Sequence, residues 1–144
     1  MYFPSLIDTD ILSEFFKGNS QVRTRAEEYI SEHKRLTISH IQKYEILKGL
    51  KAKNAKKQIK AFEMFCDANI TLPITDDVIE KASEIYASLK ATGILISDAD
   101  ILVAAIAIVN NLTLITNNTN HFSRIKVLKL DNWKEPLAYN PYNE

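Results

Sequence analysis

The stretch Ile94–Val109, ILISDADILVAAIAIV, constrains this chain more than any other. Two aspartates, Asp98 and Asp100, open a segment that is then apolar at every position from Ile101 to Val109. A helix hydrophobic all round has no face to give to water and must be buried. The run is far too short to cross a bilayer, which takes about 20 apolar residues. The carboxylates at its first turn have two readings. Capping by Ser97 or Asp98, with acids favoured near the positive end of the helix dipole, accounts for one acid and leaves the second open. A metal site accounts for both, and acids elsewhere in the chain must arbitrate.

A chain of 144 residues is expected to form one domain, with its core over about 3–133 and a loosely held tail over 134–144. Lysine plus arginine and aspartate plus glutamate balance at 18 each, so no global field announces a polyanionic partner. Such a partner must be met by a local patch. The lone Cys66 cannot form an intramolecular disulfide and fits a reducing compartment, and the start MYFPSLID lacks the pattern of a signal peptide. A cytoplasmic protein without membrane attachment is expected. Three glycines are too few for a phosphate-cradling glycine loop or a dinucleotide fingerprint.

In order, Phe3–Asp8 reads as a short buried strand ending on a carboxylate. A helix on Ile11, Leu12, Phe15 and Phe16 follows and stops at Gly18, and Ser20 can cap a second on Val22, Ala26, Tyr29 and Ile30. Arg35–Ser39 is a second strand, and Ser39 with Gln42 makes a capping box for a helix reaching about Lys53. A helix at about 55–68 carries Ile59, Phe62 and Cys66, and Ile70–Leu72 is a third strand. Thr75 caps a helix on Val78, Ile79, Ala82, Ile85, Tyr86 and Leu89, closed by Gly93. After the buried helix come strands at Leu112–Ile115 and Lys126–Leu130. Strands separated by helices predict an α/β fold with a mostly parallel five-stranded sheet covered on both faces.

In such sheets ligands bind outside the carboxyl ends of the strands. Asp8 stands at the end of the first strand, Asp98 and Asp100 begin the helix before the fourth, and Thr116-Asn117-Asn118 follows the fourth. Glu45 falls on or beside the inward face of its helix. As ordinary structure, Asp8 is a turn former and Glu45 a surface partner for neighbouring lysines. Together the converging acids suit a hard cation, Mg²⁺ or Mn²⁺. His33, His40 and His121 are scattered without zinc spacing. Lys43, Lys48 and Lys51, within a lysine-rich stretch reaching Lys60, read as a solvated face or as a surface that brings RNA to an acidic pocket.

Four segments in order, LIDTDILSEFFKG at 6–18, TISHIQKYEILKGL at 37–50, ISDADILVAAIAIVNNLTLITNNTNHFSRI at 96–125 and LDNW at 130–133, resemble PIN-domain ribonuclease toxins of the VapC type. The resemblance implies a three-layer α/β/α sandwich, Mg²⁺- or Mn²⁺-dependent endoribonuclease activity and a cognate antitoxin that silences it. The aromatics Phe15, Phe16, Tyr29, Phe62 and Phe65 exceed what one covered sheet needs, and a homodimer and capture of an antitoxin segment would use the excess. The TNN…HF portion resembles members acting on initiator tRNA. By position it implies Asp8, Glu45 and Asp100 as catalytic acids, with Asp8 and Asp100 holding the metal. Asp98, Thr116, Asn118 and His121 would support them. Two positions depart from the family pattern: Asn118 stands where many members carry aspartate, and His121 where another acid is usual.

Two other readings compete. Asp8-Thr9-Asp10 after a strand is similar to the first motif of haloacid-dehalogenase phosphatases, but Leu12 fails that motif and no later lysine and paired-acid motifs follow. A PIN-like protein that has lost activity and serves as a binding or repressor partner would explain Asn118 and His121. The presence of Asp8, Glu45 and Asp100 argues against it.

Overall fold

The computed structural model describes residues 1–136; most of the expected tail, 137–144, lies outside the described residues. The order is β1 (Ser5–Ile7), α1 (Thr9–Lys17), α2 (Ser20–His33), β2 (Thr37–Ser39), α3 (His40–Ala52), α4 (Lys56–Ala68), β3 (Ile70–Leu72), α5 (Asp76–Ala91), α6 (Asp98–Val109), β4 (Thr113–Ile115), α7 (Thr119–Phe122) and β5 (Leu130–Asp131). Asn19, one residue before Ser20, caps α2 by accepting from the Val22 N–H. The Ser39–Gln42 capping box of α3 and the Thr75 cap of α5 form as the sequence predicts.

Among the described residues all strand pairs are parallel, but the five strands form two ladders where one sheet was expected. One runs β1-β4-β5, with Ser5 opposite Thr113 and Leu114 opposite Leu130; the other pairs β2 with β3, Thr37 opposite Ile70. β2 lies alongside β1, yet the Ser5 N–H donates at 3.0 Å to the Tyr29 hydroxyl. A side chain thus takes the edge donor that a β2 carbonyl would need. The last strand also starts later than its apolar residues suggest. Phe122, Ile125 and Leu128 are buried at intervals of three, and consecutive turns join them, so the segment is coiled and only Leu130–Asp131 pairs.

Successive residues of the central strands point to opposite faces. Leu6 and Leu114 join the core formed with α5 and α6, while Ile7 and Ile115 join that formed with α1, α2 and α4. This makes three layers. In α6, Ile101 and Val103–Ala107 are buried and Leu102 and Ile108 half-buried, as a nearly all-apolar helix requires, but its last residue, Val109, is exposed. The inward stripe of α5 is narrower than expected: Val78, Ala82, Ile85 and Leu89 are buried, but Ile79 is 50% and Tyr86 40% exposed.

One buried cation is named by no local pattern in the sequence. Arg25 of α2 donates to the Tyr2 hydroxyl, to the carbonyls of Asn132 and Glu135, and to Asp131 Oδ2 at 2.7 Å. It fastens β5 and the residues after it to α2. Lys134 and Glu135, expected in the loose tail, are therefore tied down, and Trp133 is buried against Tyr2 and Tyr29.

Candidate active site

The site grows from the carboxyl ends of β1 and β4. The chain leaves β1 at Asp8, whose N–H donates to the Ile115 carbonyl at 2.9 Å. The Asp8 side chain caps α1 by accepting from the Thr9 N–H at 2.9 Å. Capping is thus real at this position, but it uses one carboxylate oxygen. The other accepts from the Thr116 hydroxyl at 2.9 Å. Thr116 follows β4 directly, and its N–H donates to the Asp131 carbonyl, which holds it at the sheet edge.

Asp10 joins the cluster unforeseen. It accepts from the Asn117 N–H at 2.9 Å and lies 3.4 Å from the Thr116 hydroxyl. Thr9 was also missed: its hydroxyl donates to Glu45 Oε1 at 3.0 Å, tying α3 to the start of α1. The available signal was the DTD triplet itself, since an acid at the N-cap and another two residues on both lie at the mouth of the helix. At the start of α6, Ser97 is the N-cap, accepting from the Asp100 N–H, so Asp100 is not needed as a cap. Its Oδ2 lies 2.9 Å from His121 Nε2. The position that departs from the family pattern therefore faces the acids.

The other expected supports divide. Asn118 contributes its backbone N–H to Thr116 Oγ1 at 3.1 Å, and its side chain is exposed. Asp98 is exposed in the first turn of α6, with no side-chain hydrogen bond among the described residues. Lys48 and Lys51 are exposed, with the Lys48 ammonium 5.1 Å from the centre of the Tyr44 ring. Lys43 is half-buried and close enough to Cys66 to oppose the burial that raises that thiol.

The electrostatics follow from crowding. Burial pushes the Asp8 carboxyl from an ordinary 3.8 up to about 6, and the charges of Asp10 and Asp100 add to the rise while Thr116 and Thr9 oppose it. Asp10 is raised as well, mainly by burial, against hydrogen bonds led by the Asn117 N–H. Converging acids held at this cost fit a cation. Among the described residues, no three His, Cys, Asp or Glu side chains are preassembled to hold a metal ion unaided. That suits a hard ion that keeps most of its waters and takes one or two carboxylates.

The PIN domain family model matches residues 5–128. Ribonuclease VapC1 of Methanocaldococcus jannaschii is 35% identical over 121 residues, covering 84% of this chain and 80% of the relative. Among solved structures, VapBC-1 from nontypeable Haemophilus influenzae is similar with a TM-score of 0.80 at 26% identity, over 91% of this chain and 98% of that one. VapBC2 from Rickettsia felis, bound to a DNA fragment from its promoter, gives 0.79 at 25% identity over 90% and 98%. These matches give no support to the phosphatase alternative. With the acids gathered at the sheet edge, and a family model running from β1 to the turns before β5, the chain belongs to the PIN-domain family.

Proposed function

We propose that this chain is the toxin of a toxin–antitoxin pair, an endoribonuclease of the cytoplasm that hydrolyses phosphodiester bonds in RNA, tRNA included. The observation that carries the reading is the pairing of Asp8 and Asp10 on the Thr116 hydroxyl, with Asp100 near enough for its charge to add to the rise of Asp8. Asp8 and Asp100 would hold Mg²⁺ or Mn²⁺, and Asp10 would add negative charge from outside the ligand set. A divalent cation there would supply positive charge against the phosphate and leaving oxygen and lower the pKa of a water. Thr116 fixes the Asp8 carboxylate through its hydroxyl, and the Asn118 N–H fixes that hydroxyl in turn. Glu45 has Oε1 occupied by Thr9 and can use Oε2 to orient an attacking water and accept its proton. Attack by water predicts products ending in 3′-hydroxyl and 5′-phosphate.

Surface features support the partners. Phe15, Phe16, Phe62 and Phe65 form one aromatic cluster, and Phe16 is 41% exposed, which suits an antitoxin segment. Tyr29, expected to share that surface, is instead in the core. The exposed Ile79 and Tyr86 of α5 suit a homodimer contact. Among the described residues no helix is long and apolar enough to cross a membrane. Purified protein is expected to cut RNA with Mg²⁺ or Mn²⁺, to stop in EDTA, and to be silenced by the protein encoded beside it. A chain that binds that protein but cuts no RNA with either metal would be the inactive repressor partner instead.

His121 gives a second expectation. Its imidazole occupies one oxygen of Asp100 and supplies no negative charge. His121→Asp is expected to lower the Mg²⁺ concentration for half-maximal cleavage by several-fold to about tenfold, because hard-ion affinity rises with ligand charge. Superimposable metal titrations of wild type and variant would remove His121 from the site.

A further inference from the structure

A groove of about 630 Å³ runs between one stripe of α5 and the turns after α7. Its floor is Ile85, Leu89 and Ile125, and its walls carry three cations, Lys81, Arg124 and Lys126, against one acid, Glu84. Glu84 is already engaged with Lys81 at 3.1 Å. Arg124 and Lys126 are exposed and form no ion pair among the described residues. Two segments join the groove to the acids. Arg124 is three residues beyond His121, which touches Asp100, so their Cα atoms lie within about 11 Å of each other. Ile94, on the groove's rim, is three residues before Ser97, the cap of the helix that bears Asp100.

From this continuity we infer that the groove holds the single-stranded flank of the RNA, its phosphates on Arg124 and Lys126 and a base against the apolar floor. The assignment rests on the ribonuclease reading and extends it to a path for the substrate. Charge complementarity selects a polyanion, since a groove prepared for an apolar protein segment has no need of two exposed cations on one wall. An apolar floor beneath cations also matches a nucleotide, which presents a flat base and a charged backbone together. Loss of a phosphate contact weakens binding for every sequence alike and flattens its salt dependence, by about 0.7 per contact for single strands.

The test is fluorescence anisotropy with a short labelled single-stranded RNA of mixed sequence, in EDTA so that nothing is cut, across a salt series. Arg124→Gln with Lys126→Gln is expected to weaken binding roughly five- to fiftyfold at low salt and to lower the salt slope by about 1.4. Ser88→Glu, an exposed change on the opposite wall of the groove, should weaken it in the same direction. Lys34→Gln with Arg35→Gln, equal in charge but at the amino ends of the strands, should change binding less than twofold. Equal losses in the two double variants, or no loss in the groove variants while wild type binds, would overturn the groove and leave the nuclease reading standing. So would unchanged RNA binding with a loss of antitoxin or dimer affinity, which would give the groove to a protein. Wild-type protein that neither binds nor cuts RNA would remove both readings.

Discussion

Asp8→Asn is expected to abolish RNA cleavage, by a factor of about 10³ or more, and in metal-free buffer to leave a protein more stable than wild type. Loss of activity follows if Asp8 holds the cation, because a neutral amide cannot replace a carboxylate toward a hard ion. The gain in stability follows from the site's own strain. Asp8 titrates near 3.8 in the unfolded chain and at about 6 in the fold, chiefly because it is buried. Between those values the native state binds more protons than the unfolded state, so wild-type stability falls as pH rises through the window. The penalty is complete above about pH 6 and absent below about pH 4. At pH 7 the asparagine variant should therefore gain about 1–3 kcal/mol, and the gain should vanish toward pH 4. Asparagine keeps an oxygen for the Thr9 N–H, and its amide can face the Thr116 hydroxyl, so the cap survives. Added Mg²⁺ should raise the melting temperature of wild type and leave the variant unmoved. A variant less stable than wild type at pH 7 would make Asp8 a structural cap, and an active one would remove it from catalysis.

What the sequence could reveal of this site was what is local. The start of α6 was readable because an apolar run, a serine cap and two acids all lie within a few residues. The capping box of α3 and the position of Glu45 on it follow from the same short range. Asp10 escaped because a first-turn acid already has an ordinary use, and only the fold brings Asn117 and Thr116 to it from across the sheet. The two-ladder sheet was hidden for a like reason, since the Ser5 N–H is taken by Tyr29, 24 residues away. The strand expected at Lys126–Leu130 misled because Leu128 and Leu130 are two apart, as in a strand, whereas Leu128 closes the buried series Phe122, Ile125, Leu128 and Val127 is 72% exposed. Arg25 marks the limit. Its spacing places it on the inward stripe of α2 with Val22, Ala26 and Tyr29, but its main partner is Asp131, 106 residues away, and no local pattern names it.

Arg25→Ala is accordingly expected to be the most damaging single change away from the acids, costing about 2–4 kcal/mol. The guanidinium side chain is 3% exposed and donates to four groups, so its removal loses four charge-assisted hydrogen bonds and leaves a cavity, although the Tyr2 hydroxyl still donates to Glu28 and the Asn132 carbonyl still accepts from the Glu135 N–H. Asp131 itself is 42% exposed, and water can take over its oxygen, which keeps the cost below that of a fully buried pair. Asp131→Asn leaves the buried guanidinium among neutral acceptors only and is expected to cost about 1–3 kcal/mol, less than Arg25→Ala because no cavity forms. Arg25→Lys should recover only part of the loss, because one ammonium cannot span the positions the planar fork reaches. Trp133, the one tryptophan of the chain, is buried beside Tyr2 and provides the local reporter. Its emission should shift to the red in Arg25→Ala and stay in place in Asp131→Asn. The damage should also reach the site, since Thr116 is held by the Asp131 carbonyl and Asn117 by Asn132. Cleavage by Arg25→Ala should fall at temperatures where the protein is still folded, through loss of Thr116 alignment on Asp8. Denaturant melts showing under about 1 kcal/mol of change, with tryptophan emission unmoved, would mean that packing alone anchors the segment from β5 to Glu135 and that the buried arginine is dispensable.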